Sequence, residues 1–175
     1  MADFVKGRGV GAFGTRLRRL SERLDRDIRE LYRARGIDFE PSWFPVFAAI
    51  DELGPLSVGD MAAYTGVSHA AVSQIRAKLL YEGLIVVKAD DADLRRQMLH
   101  MTPKGKALLS RMRPLWRAIA EATEALCEES SPNILRDLDG VEAALDRTNM
   151  QKRVNDAASE IAGERKAGRK KNASV

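Results

Sequence analysis

Residues His69 to Glu82 read as a helix with two distinct faces. Val72, Ile75 and Leu79 fall at i, i+3 and i+7 and form a stripe for burial. Ala70, Ser73, Gln74, Ala77, Lys78 and Tyr81 share a second face that is small and polar with one cation. Alanine and serine let a helix backbone approach a surface closely. Glutamine and lysine carry donors that can reach base edges or phosphates. A merely solvated face favours long charged residues, and this one has few. Ser68 is a candidate N-cap for the helix, His69 opens it, and Arg76 adds a further cation. A second group lies beyond it, in Ala89-Asp90-Asp91-Ala92-Asp93-Leu94-Arg95-Arg96. Asp93 and Arg95 stand two positions apart, so on one side of a strand. The sequence expects Asp93 to hold Arg95 in an aimed rotamer, with the guanidinium able to enter a narrow minor groove of negative potential. The bland alternative is a surface ion pair worth little. The candidate contacts to DNA are therefore Ser68, His69, Ala70, Ser73, Gln74, Arg76, Lys78, Asp93, Arg95 and Arg96.

Other chemistry finds few residues. The chain has two histidines, His69 and His100, and one cysteine, Cys127. Neither histidine has a nucleophile or carboxylate at a suggestive spacing, and a zinc site needs three or four ligands. The run Gly7-Arg8-Gly9-Val10-Gly11 follows no strand and precedes no Gly-Lys-Ser/Thr, so it is not a phosphate loop. No catalytic residue, metal site or cofactor is expected, and the chain reads as a non-enzyme. Cys127 reads as a buried, inert thiol.

The elements that position the two groups follow from periodicity and punctuation. Leu17, Leu20, Leu24, Ile28 and Leu31 continue a helical seam from Phe13, and Gly36 stops that helix. Arginines and glutamates fill its outer faces. Ser42 reads as the N-cap of the next helix, with Pro45 in its first turn. Gly54-Pro55 breaks it, Ser57 caps a short helix over 58–64, and Thr65-Gly66-Val67-Ser68 forms a tight link to the two-faced helix. Leu84 to Val87 is strand-like, Ala89 to Asp93 is turn chemistry, and Gln97 to Met101 alternates as a return strand. Thr102-Pro103 starts a helix with a stripe of Leu108, Met112, Leu115, Ile119 and Leu126 that Pro114 should bend. Ser131-Pro132 starts another, with a stripe of Ile134, Leu138, Val141 and Leu145. Tyr32, Trp43, Phe47 and Trp116 are aromatic residues suited to a ligand wall, or else to ordinary helical core packing.

Of the 175 residues, 45% are hydrophobic and 31% charged, an ordinary globular balance. Residues 1–35 carry ten Lys/Arg against five Asp/Glu, and residues 151–175 carry seven against three. Residues 57–102 balance at five against five. Basic ends around a neutral middle suggest a polyanion partner, while solvated tails would look the same. The neutral middle also suits a winged helix that mediates protein association without DNA. No apolar run approaches the length of a spanning helix, no secretory leader is visible, and a lone cysteine suits a reducing cytoplasm. A cytoplasmic protein with no membrane partner is expected.

The segments Leu56-Ser57-Val58-Gly59-Asp60-Met61-Ala62, Thr65 to Ser68, Leu79 to Ile85 and above all Asp90 to Gly105 (DDADLRRQMLHMTPKG) carry a family pattern. With them the chain resembles the multiple-antibiotic-resistance regulator (MarR) family of bacterial winged helix-turn-helix transcription factors. Asp90, Asp93, Arg95, Thr102 and Gly105 match a D-x-x-D-x-R wing running into Leu-Thr-x-x-Gly. Leu94 stands where that family often has a basic residue, with Arg96 close by to compensate, and Met101 stands in place of Leu. The resemblance spans residues 15–150 in architecture and 56–105 in motif. It implies a homodimer whose first and last helices interlock, a recognition helix in the major groove and a wing on the minor groove. It also implies regulation of transcription, usually repression, relieved by a small phenolic or other aromatic effector.

The expected fold is mainly α: a winged helix-turn-helix with a two-stranded β wing, flanked by N- and C-terminal dimerisation helices. Residues 1–14 are expected to be a flexible lead-in and 15–162 the regulator domain. Within it, 42–102 form the DNA-binding part, and 15–35 and 103–160 the dimerisation helices. Residues 163–175 are expected to be a disordered basic tail.

Overall fold

The computed structural model describes residues 3–172, with side chains described for 3–163. Seven α-helices and one two-stranded antiparallel sheet occupy the described residues. They form two compact units, one ending at Arg113 and one starting at Pro114.

In the first unit, α1 (Phe13–Ala34) follows a 3-10 segment, Lys6–Ala12. The lead-in that the sequence leaves loose is thus wound up to Ala12. Asp3 joins it to α1 through a two-pronged pair with Arg19, at 2.9 and 3.1 Å. The start of α2 (Phe44–Leu53) corrects the expected Ser42 cap. A 3-10 turn, Pro41–Trp43, precedes the helix, Trp43 is the N-cap residue, and Ser42 caps nothing. Pro41 sets the φ of that turn, and Pro45 still sits in the first turn of the helix, where its missing N–H costs no bond. Helix α3 (Val58–Thr65) begins at Ser57 and ends at Gly66, whose φ of 68° is a left-handed cap that suits glycine. Helix α4 (His69–Tyr81) starts at Ser68, whose Oγ accepts the Ala71 N–H at 3.3 Å.

Strands β1 (Ile85–Ala89) and β2 (Gln97–Met101) pair in register from Ile85 opposite Met101 to Ala89 opposite Gln97. Leu56 adds a single bridge to β2, with the Leu99 N–H donating to its carbonyl at 2.8 Å. The sheet is thereby stapled to the loop that leads into α3. The core gathers Val46, Phe47 and Ile50 of α2, Met61 of α3, Val72 and Leu79 of α4, Leu99 of β2, and Leu109 and Met112 of α5 (Pro103–Ser130). On α5 the inward row is Gly105, Leu109 and Met112, while Leu108 is half-buried. The steps of four and three obey the helical period, one position off the expected start.

The second unit holds the remainder of α5, then α6 (Ile134–Arg147) and α7 (Met150–Asn172). Asn133, not Ser131, is the N-cap residue of α6. The Ile134 N–H donates to the Ser131 carbonyl at 3.0 Å, which makes Ser131 the start of the preceding turn. Cys127 is half-buried rather than buried. The basic segment from 163 continues α7 as helical backbone to Asn172, and residues 173–175 lie outside the described ones.

Candidate nucleic-acid interface

Helix α4 presents the expected face. Ala70, Gln74, Ala77, Lys78 and Tyr81 are exposed, and only Ser73 is half-buried. The opposite side is anchored by Val72 and Leu79, both with no measurable exposure. That contrast fixes the rotation of the helix about its axis, so the small polar face has one direction to look. Ser68 and His69 are exposed at its N-terminal end, where free backbone N–H groups favour anions. The Ser68 hydroxyl, however, is occupied as the cap.

The wing is built differently from its expected ion pair. Asp93 reaches Arg95 through the backbone, its Oδ1 accepting the Arg95 N–H at 3.0 Å. Two residues apart on a turn, a carboxylate meets the main chain more readily than a long guanidinium, which is ordinary Asx-turn geometry. Asp90 does the same for the Ala92 N–H at 2.8 Å. Among the described residues the Arg95 guanidinium has no hydrogen bond or ion pair, and it is exposed. Leu94 beside it is 78% exposed, so the tip carries one apolar and one cationic side chain.

Arg96 is engaged elsewhere. Its Nη2 donates to Asp60 Oδ2 at 2.6 Å. Asp60 also closes a capping box, accepting from the Ser57 Oγ at 2.6 Å while its own N–H donates to that oxygen at 3.2 Å. The Ser57 hydroxyl, with Arg96 beyond it, holds the Asp60 carboxyl below its ordinary value. What this contributes to folding is complete above the ordinary carboxylate range and is lost as pH falls through the lowered value. Arg76, half-buried, donates to Gln97 Oε1 at 3.4 Å. Asp60 and Gln97, the partners of Arg96 and Arg76, are two positions that sequence reasoning missed. The Ser57-x-x-Asp60 spacing was the available signal for the first, and nothing local signals the second.

Residues 36–96 match the family model described as the MarR family. The match covers the stretch from the link between α1 and α2 through the tip of the wing. No curated protein matches the chain. Among solved structures, M. tuberculosis MosR in complex with DNA is 22% identical, with a TM-score of 0.62 over 78% of this chain and 97% of that one. Bordetella bronchiseptica BpsR, whose DNA binding is regulated by 6-hydroxynicotinic acid, is 23% identical, with a TM-score of 0.58 over 85% and 98%. A MarR family regulator from Neisseria meningitidis is 20% identical, with a TM-score of 0.56 over 82% and 97%. At these identities the likeness is one of fold.

Helix α1 keeps Leu17, Leu20 and Leu24 at 41%, 51% and 43% exposure, while Ile28 and Leu31 are half-buried. Leu17 and Leu20, with Phe13 and Val10, floor a cleft of about 560 Å³ rimmed by Lys6, Arg16, Arg19 and Arg23. The aromatic candidates divide. Tyr32, Trp43 and Phe47 all pack around Phe39, with ring centroids 5.4 to 5.9 Å from it. All three are buried in the core. Trp116 is half-buried in the second unit. No helix among the described residues is long and apolar enough to cross a membrane.

Proposed function

We propose that this protein is a sequence-specific, DNA-binding transcriptional regulator. It acts as a homodimer on an inverted-repeat operator, as a repressor released by a small aromatic or phenolic effector. One observation carries the DNA reading: the outward face of α4 is small and polar, and the neighbouring wing offers Arg95 without a protein partner. A helix of this kind fits the major groove while an arginine beside it fits the minor groove. The DNA-bound MosR structure, of the same fold, supports the reading. The regulation of BpsR by a hydroxylated aromatic acid supports the effector. The proposed dimer rests on the α1 seam, which a single winged helix leaves uncovered, and on the stripe Leu138, Val141 and Leu145 of α6, all more than a third exposed.

Selection of bound duplexes from a random pool tests the function. The expected product is an inverted repeat with half-sites about one helical turn, roughly 10 bp, apart. Light scattering at micromolar concentration should give the dimer mass. A monomer there, or a pool that never enriches, contradicts the proposal.

Gln74 is the base-reading candidate, as the natural bidentate partner of adenine. Gln74→Ala is expected to cost about 1–3 kcal/mol on the selected site and almost nothing on random duplex. Equal losses on both would remove Gln74 from sequence readout.

A further inference from the structure

Arg96 is the residue in which the wing is tied down on three sides. Its N–H donates to the Asp93 carbonyl at 2.8 Å, and its own carbonyl accepts the Asp90 N–H at 2.9 Å, which together close the loop between the strands. Its guanidinium then leaves the wing and reaches Asp60 in the first turn of α3. The next residue, Gln97, accepts from Arg76 on α4. The base of the wing is thus braced to both helices of the helix-turn-helix, and Arg95 sits between an Asx turn on one side and this brace on the other.

We propose that Arg96 is a positioning residue and not a DNA ligand: the Arg96–Asp60 pair locks the wing to α3, and so sets the offset between Arg95 and the reading face of α4. The proposal rests on the DNA-binding reading above and adds a division of labour between adjacent arginines. A dimer on DNA must place four elements at once, two recognition helices and two wings. A hinged wing pays ordering entropy on binding that a braced wing has already lost. Both partners of the pair are about half exposed, so its direct worth is small and its effect is geometric. Asp60 also serves the α3 cap, so changing it confounds two roles, and Arg96 is the cleaner position to vary.

The test measures operator affinity against salt for the full-length protein with Arg95→Ala, Arg96→Gln, Arg96→Lys and the Arg95→Ala/Arg96→Gln pair. It adds amide exchange over residues 89–97 in the free protein. Arg96→Gln should weaken binding about two- to fivefold per protomer, the range of an exposed pair. In the Arg95→Ala background it should change neither affinity nor salt slope, because no aimed side chain remains to misplace. Amide exchange in the wing should quicken without DNA. Arg96→Lys keeps the charge but loses the forked donor geometry, and should fall near Arg96→Gln. If Arg96→Gln instead lowers the slope by about one per protomer in the Arg95→Ala background, Arg96 contacts phosphate and the proposal is overturned. Arg96→Lys binding like the parent has the same meaning, and so does unchanged amide exchange. If Arg95→Ala itself binds as the parent does, the minor-groove reading fails, and the brace is then judged on exchange alone.

Discussion

Gly105→Ala is expected to lower the stability of the protein by about 3 kcal/mol, at the upper end of the range for overpacking. The sign is informative because local helix propensity points the other way. Gly105 lies in the first turn of α5 with an ordinary helical backbone, where replacing glycine by alanine favours the helix, by up to about 1 kcal/mol, the value of an interior position. Here an added Cβ would collide with the Leu84 carbonyl oxygen and stand 2.8 Å from Met101 Cγ. The methionine can move; the carbonyl cannot do so cheaply. It accepts the Thr102 N–H at 3.0 Å and the Thr102 Oγ1 at 3.1 Å, and Leu84 itself is buried at the junction of α4 and the sheet. Relieving the clash therefore loosens the Thr102 junction that starts α5 and the first pairs of the wing together. Urea unfolding at fixed protein concentration measures the effect, since the proposed dimer would make the midpoint depend on concentration. A midpoint equal to or above that of the parent would show that α5 does not press on Leu84 in solution.

The second large effect is expected on DNA rather than on folding. Arg95→Ala should weaken binding to the selected operator by on the order of 1–3 kcal/mol per protomer and reduce the salt slope by up to about one unit per protomer. Arginine suits the role better than lysine because its guanidinium is less strongly hydrated and sheds water into a narrow groove more easily. Arg95 is available for it, while its neighbours are committed: Arg96 to Asp60, and Asp93 to the turn. Asp93→Ala should give a milder loss, because the Arg95 N–H loses its acceptor while the guanidinium survives. The proposed dimer should be untouched in both variants, since its proposed seam, Leu17 to Leu24, lies on α1 and the altered side chains on the wing. Operator affinity measured across a salt series, with light scattering alongside, decides it. An unchanged slope for Arg95→Ala would take the wing off the DNA and favour a winged helix that binds another protein.

Local chemistry in the sequence determined most of the elements. The leucine seam from Leu17 to Leu31, the caps at Ser57 and Ser68, the turn at Gly66, and the Thr102-Pro103 start all depend on neighbours within one or two turns of chain. They appear where their spacing puts them. The two faces of α4 were legible for the same reason: burial of Val72 and Leu79 on one side leaves the Gln74 and Lys78 side outward. What the tertiary structure decided were the partners of long, flexible and charged side chains. Asp93 and Arg95 looked like a pair by proximity, yet the shorter route to a main-chain N–H won. Arg96 found its carboxylate 36 residues back in the chain, at a helix start brought alongside by the backbone bridge between Leu56 and Leu99. The aromatic residues Tyr32, Trp43 and Phe47 were ambiguous between ligand wall and core, because composition is the same for both. Only the closeness of the rings around Phe39 distinguishes them. Gly105 belongs with these cases: its need to lack a side chain comes from a carbonyl 21 positions earlier, and no periodicity or propensity of α5 records it.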